Sequence, residues 1–344
     1  MKTVFVVDDS ETNRITAKNA LDEKYTTFAL SSASRMFKLL EKIIPDLILL
    51  DVDMPDMDGF EALSILKADE KLKNIPVIFL TAKNDANSEI HGFEIGAIDF
   101  IIKPFSPPVF MKRIKSHIET DQLIKESQRT VREIHNATIS VIADLVESRD
   151  KITGSHIGRT QTYLSILINE LLRSGIYADE ISGWDLDLLL PSAQLHDVGK
   201  IVISDMILNK PAKLNAAEFS VIKTHCAAGE KIIDEIISKA GDNRFLRHAK
   251  MFAGYHHEKW NGSGYPYGLK GEEIPLEGRI MAVADVYDAL VSERPYKKPF
   301  SHEEAVAIIS KDSGIHFDPL VVKAFISIAD EFWVILETEM NAHG

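Results

Sequence analysis

The sequence predicts an α/β domain with a doubly wound, five-stranded parallel sheet, joined by a long helix to an all-α domain. In residues 1–120, five short apolar runs alternate with stretches that have helical patterning. Beyond them the patterning is predominantly helical. A chain of 344 residues is also long enough for two separate hydrophobic cores. We therefore expect the α/β domain at 1–120, a helical linker at 121–148 and the all-α domain at 149–344.

The five apolar runs of the first domain predict its strands. They lie at 4–7, 28–30, 47–50, 77–80 and 98–102. Strands that alternate with helices form parallel sheets, and such sheets bind ligands at the carboxyl ends of their strands. Polar side chains follow four of the predicted ends, namely Asp8, Asp9, Asp51, Thr81 and Lys103. Three carboxylates at one edge repel each other, so they favour a hard cation, most simply Mg²⁺.

No glycine or proline interrupts the chain between 109 and 148, so a single helix can span this segment. Ile124, Val131, Thr138 and Leu145 recur every seven residues, and Ile134 and Val141 each lie three residues after one of them. Together these six residues outline a heptad seam. A heptad seam is typical of a parallel helix pair between two chains, which predicts a homodimer. The alternative is one amphipathic helix that packs on its own domain.

Composition and charge exclude several classes of protein. The formal net charge of −13 argues against a general nucleic-acid binder, because long polyanions would be repelled. The one cysteine, Cys226, excludes an intramolecular disulfide and fits a reducing compartment. The first residues lack the pattern of a signal peptide, and no apolar run approaches the roughly 20 residues of a membrane helix. We expect a cytoplasmic protein without membrane insertion.

The C-terminal half is rich in groups that could bind metal ions. The main candidates are His196, Asp197, His225, His256, His257 and Asp285. Imidazole with carboxylate suits first-row metals such as iron or manganese. Asp285 lies among apolar residues, where a carboxylate is costly unless it is ionised against a metal. Two such metals can activate a bridging hydroxide and bind a phosphate, so the pattern predicts metal-dependent phosphoester hydrolysis. Cys226 adjoins His225 and is either a thiolate ligand or a buried inert thiol.

A longer series of motifs narrows this prediction. The chain carries Glu147-Ser-Arg-Asp150, Thr153-Gly154-x-His156-x-x-Arg159, His196-Asp197-Val198-Gly199-Lys200, His256-His257 with Gly264-Tyr265-Pro266, Ala284-Asp285 and Arg294-Pro295-Tyr296-Lys297. In this order, over residues 147 to about 330, the series resembles the HD-GYP subgroup of the HD-domain metal-dependent phosphohydrolases. The resemblance implies hydrolysis of the bacterial second messenger cyclic di-GMP at an iron or manganese cluster, and the same ligands also accept nickel or zinc.

The resemblance also assigns the metal ligands. It places His156, His196, Asp197 and Asp285 on one metal and His225, His256 and His257 on the other, with Asp197 bridging. Lys200 would act with Asp197 and His196 in catalysis, directing its ammonium group at the scissile phosphate or the metal-bound water. Relatives with a third metal hold it through a carboxylate at the position of Ile152, which cannot ligate, and the nearby acids Glu147 and Asp150 need not face the cluster. We therefore expect two metals.

Substrate contacts are expected at three residues of the same region. By resemblance, Arg294 and Lys297 would bind the second phosphate. The alternative is that either residue is a solvated cation at the protein surface. Tyr265 could pack on a guanine, face a protein partner through its Gly-Tyr-Pro loop, or simply order that loop.

Residues 2–118 resemble the receiver domain of two-component response regulators. The matching segments are Asp51-x-x-Met54-Pro55-x-x-Asp58-Gly59 and Ala97-x-Asp99-Phe100-x-x-Lys103-Pro104-Phe105. The resemblance implies that Asp51 accepts a phosphoryl group from a sensor histidine kinase, while Asp8, Asp9 and Mg²⁺ neutralise its charge. Lys103 would pair with one phosphoryl oxygen, and Phe100 would turn inward as Thr81 moves to bond another.

The two resemblances together predict a phosphorylation-regulated response regulator that hydrolyses cyclic di-GMP to linear pGpG or further to GMP. Phosphorylation could rotate or re-register a pair of linker helices. One alternative is a related substrate such as mixed cyclic GMP-AMP, because nothing in the sequence reads the base edges clearly. The other is a hydrolase-like domain that only binds a nucleotide or a protein partner.

Overall fold

The computed structural model describes residues 1–82, 86–149, 156–292 and 298–343. The chain forms two compact units, Met1–Thr130 and Val131–Gly344.

The first unit is built on a sheet of five parallel strands. They are β1 (Lys2–Val7), β2 (Tyr25–Leu30), β3 (Leu47–Asp51), β4 (Val77–Thr81) and β5 (Asp99–Ile102). Their order across the sheet is β2-β1-β3-β4-β5. The predicted doubly wound, five-stranded parallel sheet is therefore confirmed.

The edge strand β2 is longer than its sequence indicated. The apolar run predicted residues 28–30, whereas pairing with β1 begins at Tyr25. In the first part of β2, buried Tyr25 and Thr27 alternate with exposed Thr26, because one face of an edge strand meets water. The central strands β3 and β4 are wholly buried and were predicted to within one residue.

Helices cover both faces of the sheet. They are α1 (Glu11–Leu21), α2 (Ala33–Leu40), α3 (Gly59–Ala68), α4 (Ala86–Glu94) and the first part of α5 (Pro107–Ser148). Successive side chains of a strand point to opposite faces, so the sheet separates two cores. Phe5 of β1 packs with Leu63 of α3 on one face, and Val6 packs with Ile114 of α5 on the other.

The second unit is mostly helical in the part that the structure describes, as the sequence predicted. After the last part of α5 come α6 (His156–Ser174), α7 (Ala178–Ile181), α8 (Leu186–Ser192), α9 (Asp205–Leu208), α10 (Ala216–Ala240), α11 (Arg244–Tyr255), α12 (Leu276–Val291), α13 (His302–Lys311), α14 (Pro319–Ser327) and α15 (Ala329–His343). Short 3₁₀ helices lie at Ala193–Leu195, Val198–Val202 and Gly271–Glu273.

Helices α6 and α12 form the centre of this unit. Tyr163 of α6 and Tyr287 of α12 are fully buried and contact each other edge to face. Burial on this scale fixes the two helices firmly, because interior side chains pack to crystal-like density. Helix α10 begins with a capping box, in which Asn215 and Glu218 bond each other's backbone N–H groups. Each of these three helices supplies a residue to the candidate site.

Candidate functional site

The first candidate site lies at the carboxyl ends of the strands in the first unit. Asp8, Asp9 and Asp51 bring carboxylate oxygens within 4.8 Å of one another. Asp8 and Asp51 are buried and Asp9 is exposed. The Nζ atom of Lys103 lies 2.7 Å from Oδ2 of Asp8 and 2.7 Å from Oδ1 of Asp51. All four residues were predicted to meet at this edge, and their oxygen-rich set suits Mg²⁺.

The electrostatics of this site favour a cation. Burial, together with the neighbouring Asp8 carboxylate, raises the pKa of Asp51 to about 6, although the hydrogen bond from Lys103 opposes the rise. Ionised Asp51 is therefore incompletely compensated by protein groups. A divalent cation would supply the missing positive charge and hold the carboxylate ready as a phosphoryl acceptor.

The two predicted switch residues lie beside these acids. Thr81 ends β4 and is buried. The Phe100 ring is also buried, with its centroid 5.3 Å from that of Phe79 and 5.1 Å from that of Phe93. It lies over Gly92 so closely that a Cβ atom there would overlap it. The Phe100 ring is thus packed between Phe79, Phe93 and Gly92.

The second candidate site is a cluster of imidazoles and carboxylates in the second unit. Two groups of potential ligands occur, and within each the ligand atoms lie within 4.8 Å of one another. The groups are His225, His256 and His257, and His156, His196 and Asp285. Helices α6, α10 and α12 and the chain that follows α11 supply most of them. The structure therefore brings together the residues that the sequence assigned to two metals.

Asp197 lies between the two groups. Its Oδ1 atom is 3.3 Å from Nε2 of His225 and 3.7 Å from Nε2 of His256, and its Oδ2 atom is 3.4 Å from Nε2 of His196. Within the described chain, Oδ1 of Asp197 and Nε2 of His196 have no hydrogen-bond partner although both atoms are buried. Buried polar atoms without partners are costly unless an ion occupies the space between them. A carboxylate that bridges two divalent metals fits this arrangement.

Backbone carbonyls orient three of the imidazole rings. The Nδ1 atom bonds a carbonyl oxygen in His196 (Ala193, 2.9 Å), His225 (Ile222, 2.7 Å) and His256 (Phe252, 2.8 Å). A carbonyl can only accept, so Nδ1 carries a proton, and in the neutral form of each ring Nε2 is the nitrogen with the free lone pair. In each ring Nε2 is the atom that faces Asp197. Metal-binding histidines characteristically donate their other N–H in this way, so the rings also fit metal ligation.

A carboxylate orients the fourth ring. Nδ1 of His156 lies 2.6 Å from Oδ2 of Asp288, while its Nε2 faces Oδ1 of Asp285 at 3.3 Å. Arg159 holds Asp288 by two bonds, of 2.6 Å from Nε and 2.9 Å from Nη2. Asp288 was not predicted from the sequence, although its position three residues after Asp285 puts both acids on one face of α12. Its role is to position His156.

We predict that Asp288→Asn lowers metal affinity and turnover by about 10- to 100-fold. The amide keeps the shape of the side chain but removes the negative charge that faces Arg159 and weakens the hold on His156. Chelator competition measures the affinity. Asp179→Asn, at an exposed acid of α7, is the control and should change neither quantity. Equal metal affinity in the Asp288 variant and the wild type would contradict the positioning role.

Burial governs the pKa values of the histidines. It lowers the pKa of His257 well below its usual value and that of His225 to about 4. Burial also disfavours the cation of His156, but hydrogen bonds to Asp285 and Asp288 outweigh it and raise that pKa to about 10. His225 and His257 are thus neutral, which is the form that binds metals. On His156 a metal would replace the proton that now faces Asp285.

Lys200 is close to the bridging acid, and Cys226 is close to His225. The Nζ atom of Lys200 lies 2.8 Å from Oδ2 of Asp197. The Sγ atom of Cys226 lies 3.4 Å from Nε2 of His225. Cys226 is fully buried, and burial raises the pKa of its thiol, so it stays protonated. Of the two interpretations of Cys226, the structure favours the inert thiol.

Of the predicted substrate-binding residues Tyr265, Arg294 and Lys297, only Tyr265 lies among the residues that the structure describes. The Tyr265 ring packs against His257, with 4.8 Å between their centroids, and is half-buried beside the site. Arg294 and Lys297 lie outside the described residues, as do Ile152 and Asp150.

Glu147, near the end of α5, faces the cluster. Its side chain lines a cavity of about 10 Å³ together with His156, His196, Asp197 and Lys200, roughly the space of one water molecule. It is 8% exposed, and neither carboxylate oxygen has a hydrogen-bond partner among the described residues. Burial raises the pKa of Glu147 to about 7, against the opposing charges of His156 and Lys200. The sequence did not predict whether the Glu147 side chain faces the cluster, because a motif does not fix the rotation of a helix about its axis.

We predict that Glu147→Gln stabilises the metal-free protein at pH 8 by about 1–2 kcal/mol, a value discounted for partial solvent screening. The folded-state pKa of about 7 lies above the ordinary 4.5, so charging Glu147 costs stability as pH rises from about 4.5 to 7. The gain should therefore shrink towards pH 5. Thermal unfolding at both pH values measures it, and exposed Glu126→Gln should show no such trend. A pH-independent difference would contradict the burial argument.

Comparisons with known proteins agree with this geometry. The HD domain family matches residues 121–321, and the response regulator receiver domain matches residues 4–115. A probable cyclic di-GMP phosphodiesterase of Vibrio cholerae is 40% identical, over 94% of this chain and 77% of that protein. The cyclic di-GMP phosphodiesterase response regulator RpfG of Xanthomonas campestris is 35% identical, over 82% of this chain and 75% of that protein.

A further relative carries a different name. The 3′3′-cGAMP-specific phosphodiesterase 2 of Vibrio cholerae is 35% identical, over 66% of this chain and 40% of that protein. No described helix is both long and apolar enough to cross a membrane.

Proposed function

Because the chain belongs to the HD domain family and carries a response regulator receiver domain, we propose that it hydrolyses cyclic di-GMP under the control of phosphorylation. The observation that carries the proposal is the position of Asp197, whose two oxygens face two separate sets of imidazoles. A scaffold that only binds a partner would have no use for buried, partnerless ligand atoms, so catalysis accounts for the site better than the binding-only alternative.

Two divalent metals, when bound, would polarise the phosphodiester and lower the pKa of water, and we propose iron or manganese from the nitrogen and carboxylate ligands. The residues of the chain supply the rest. Lys200 places an ammonium group beside Asp197, where it would stabilise charge that develops on the scissile phosphate. An oxygen from water forms the new bond to phosphorus, and the ribose 3′ oxygen leaves and takes a proton. One such step gives linear pGpG.

The decisive experiment is turnover of cyclic di-GMP by purified protein reloaded anaerobically with Fe²⁺ or Mn²⁺. Products are separated by chromatography, and bis(p-nitrophenyl) phosphate serves as a diester without bases. We expect metal-dependent formation of pGpG that stops when the metal is chelated. A metal-loaded protein that cleaves neither substrate, with or without a small-molecule phosphoryl donor, would refute the hydrolase proposal.

A cyclic GMP-AMP substrate is the second candidate, because one relative at 35% identity is named for that dinucleotide. The metal centre contacts phosphate rather than base, so it does not distinguish the two substrates. Competition between the two dinucleotides at equal concentration would distinguish them. A preference for cyclic GMP-AMP would keep the reaction and change the substrate.

In the first unit, we propose Asp51 as the acceptor of a phosphoryl group from a sensor histidine kinase. The burial of Asp51 and its bond from Lys103 support this role. A small phosphoryl donor with Mg²⁺ should change the turnover of the wild type and leave that of Asp51→Asn unchanged.

We further propose that helix α5 pairs with the same helix of a second copy. Its heptad side chains are exposed in the structure, with Val131 at 64%, Ile134 at 62%, Val141 at 57% and Leu145 at 62%. A different face of the helix is buried in the second unit, through Ile139, Ala143 and Val146. The helix therefore packs on its own unit through that face, while the seam stays exposed and open to a second copy. On the helix surface, the heptad positions beside the seam (e and g) carry no formal charge between residues 124 and 145 except at Asp144. Two seams can therefore approach each other without strong electrostatic repulsion.

We predict that Ile134→Glu combined with Val141→Glu gives a monomer by sedimentation velocity, whereas the wild type is a dimer. Both side chains are exposed, so the fold should be retained while the two seams repel each other. Ile326→Glu, at an exposed position of α14, is the matched control and should remain dimeric. A monomeric wild type would refute the pairing.

A further inference from the structure

A strip of aromatic rings leads outward from the metal centre. The Tyr265 ring centroid lies 4.8 Å from that of His257 and 6.3 Å from that of His225. Beyond these histidines, Tyr265 also lies 6.4 Å from the ring of Phe219 on α10. Phe219 is 47% exposed, so its ring meets solvent instead of filling a core. An exposed aromatic face next to potential metal ligands is a surface on which a ligand ring can stack.

A cation accompanies these rings. Lys223 lies one helical turn after Phe219, with its Nζ atom 5.5 Å from the Phe219 centroid and 5.9 Å from the Tyr265 centroid. Among the described residues, no carboxylate pairs with Lys223. The chain carries a net charge of −13, so a lysine without an acidic partner beside the site is a position where an anion is favoured.

We propose that Phe219, Lys223 and Tyr265 form a nucleotide-binding subsite, in which a purine base stacks on the exposed Phe219 ring, which stands at 83° to the Tyr265 ring, and a phosphate pairs with the Lys223 ammonium. Every base has a face that stacks on aromatic side chains, and lysine binds phosphate as a compact point charge. The inference rests on the proposed function, since it assigns the part of a cyclic dinucleotide that extends beyond the scissile phosphate. Neither Phe219 nor Lys223 lies in a motif that the sequence singled out.

The test compares Phe219→Ala and Lys223→Gln with the wild type. Ile236→Ala and Lys231→Gln, at exposed positions of the same helix, are the matched controls. Three quantities are measured: KM and kcat for cyclic di-GMP, hydrolysis of bis(p-nitrophenyl) phosphate, and binding of cyclic di-GMP to the metal-free protein. Loss of one stacked base should raise KM and weaken metal-free binding by about tenfold. Both kcat and cleavage of the small diester should be unchanged, and the Lys223 variant should also lose part of the salt dependence of binding.

Each outcome decides the inference. Unchanged KM and unchanged metal-free binding in both variants would overturn it, and would leave a protein partner as the occupant of this surface. An equal loss on the small diester would also overturn it, because that result indicates damage to the metal centre. If the wild type fails to cleave cyclic di-GMP, the proposed function fails, yet the comparison of metal-free binding still decides whether the subsite exists.

Discussion

Asp197→Ala should reduce turnover by more than about a hundredfold, beyond the range typical of residues that only support a ligand. The side chain faces both sets of imidazoles, so its removal affects both metal positions at once. It also removes the carboxylate that lies 2.8 Å from Nζ of Lys200, so this ammonium group would repel nearby metals more strongly. Elemental analysis of the purified variant should show less than the full metal content, alongside the loss of pGpG formation.

Asp187→Ala provides the control for this variant. Asp187 is exposed in the same unit and pairs with Arg132 at the surface, so its removal should leave metal content and turnover unchanged. Full activity of Asp197→Ala at full metal content would show that Asp197 is not a ligand. Full metal content with lost activity would instead place its role in the chemistry alone.

Gly199→Ala should destabilise the second unit by about 3 kcal/mol and impair metal binding. A Cβ atom at Gly199 would overlap the carbonyl oxygen of His225 and the backbone nitrogen of Gly229. Both are backbone atoms of α10, so neither can rotate out of the way. The 3₁₀ helix Val198–Val202 and α10 would have to separate, and with them Asp197 and His225. Thermal unfolding and metal content report the two effects.

Gly158→Ala is the matched control for that change. Gly158 lies in α6, and among the described residues no atom from outside its own turn of helix comes within 4 Å of the place that an alanine methyl would take. Alanine is the better helix former, and the variant should be more stable by about 0.5–1 kcal/mol. Two Gly→Ala substitutions in one unit should thus act in opposite directions. Equal effects would mean that the contact at Gly199 can relax.

The fold was predictable from sequence where burial imposes a simple pattern. Strands β3 and β4 are buried on both faces and read as continuous apolar runs, whereas β2 alternates and was only half recognised. The helical character of α5 followed from the absence of glycine and proline. The rotation of α5 about its axis could not be predicted, because the face that is buried depends on the surface of the second unit.

The candidate site shows the same division. The sequence motifs predicted the histidines and acids that meet around Asp197, because the order of these motifs along the chain is distinctive. The supporting contacts were harder to predict. Asp288 bonds a histidine that precedes it by 132 residues, and Glu147 reaches the cavity only because α5 presents that side. Phe219 and Lys223 resemble ordinary surface residues until the packing places Tyr265 beside them.

The way the rings are anchored would make two bound metals unequal. His225 and His256 are each held by a carbonyl three or four residues earlier, so one turn of chain is enough to orient them. His156 depends on a contact between two separate helices. Small movements of α6 against α12 would loosen one position and leave the other intact. We therefore expect the metal at His156 to exchange faster, and preparations exposed to mixed metals to contain two different ions in one centre.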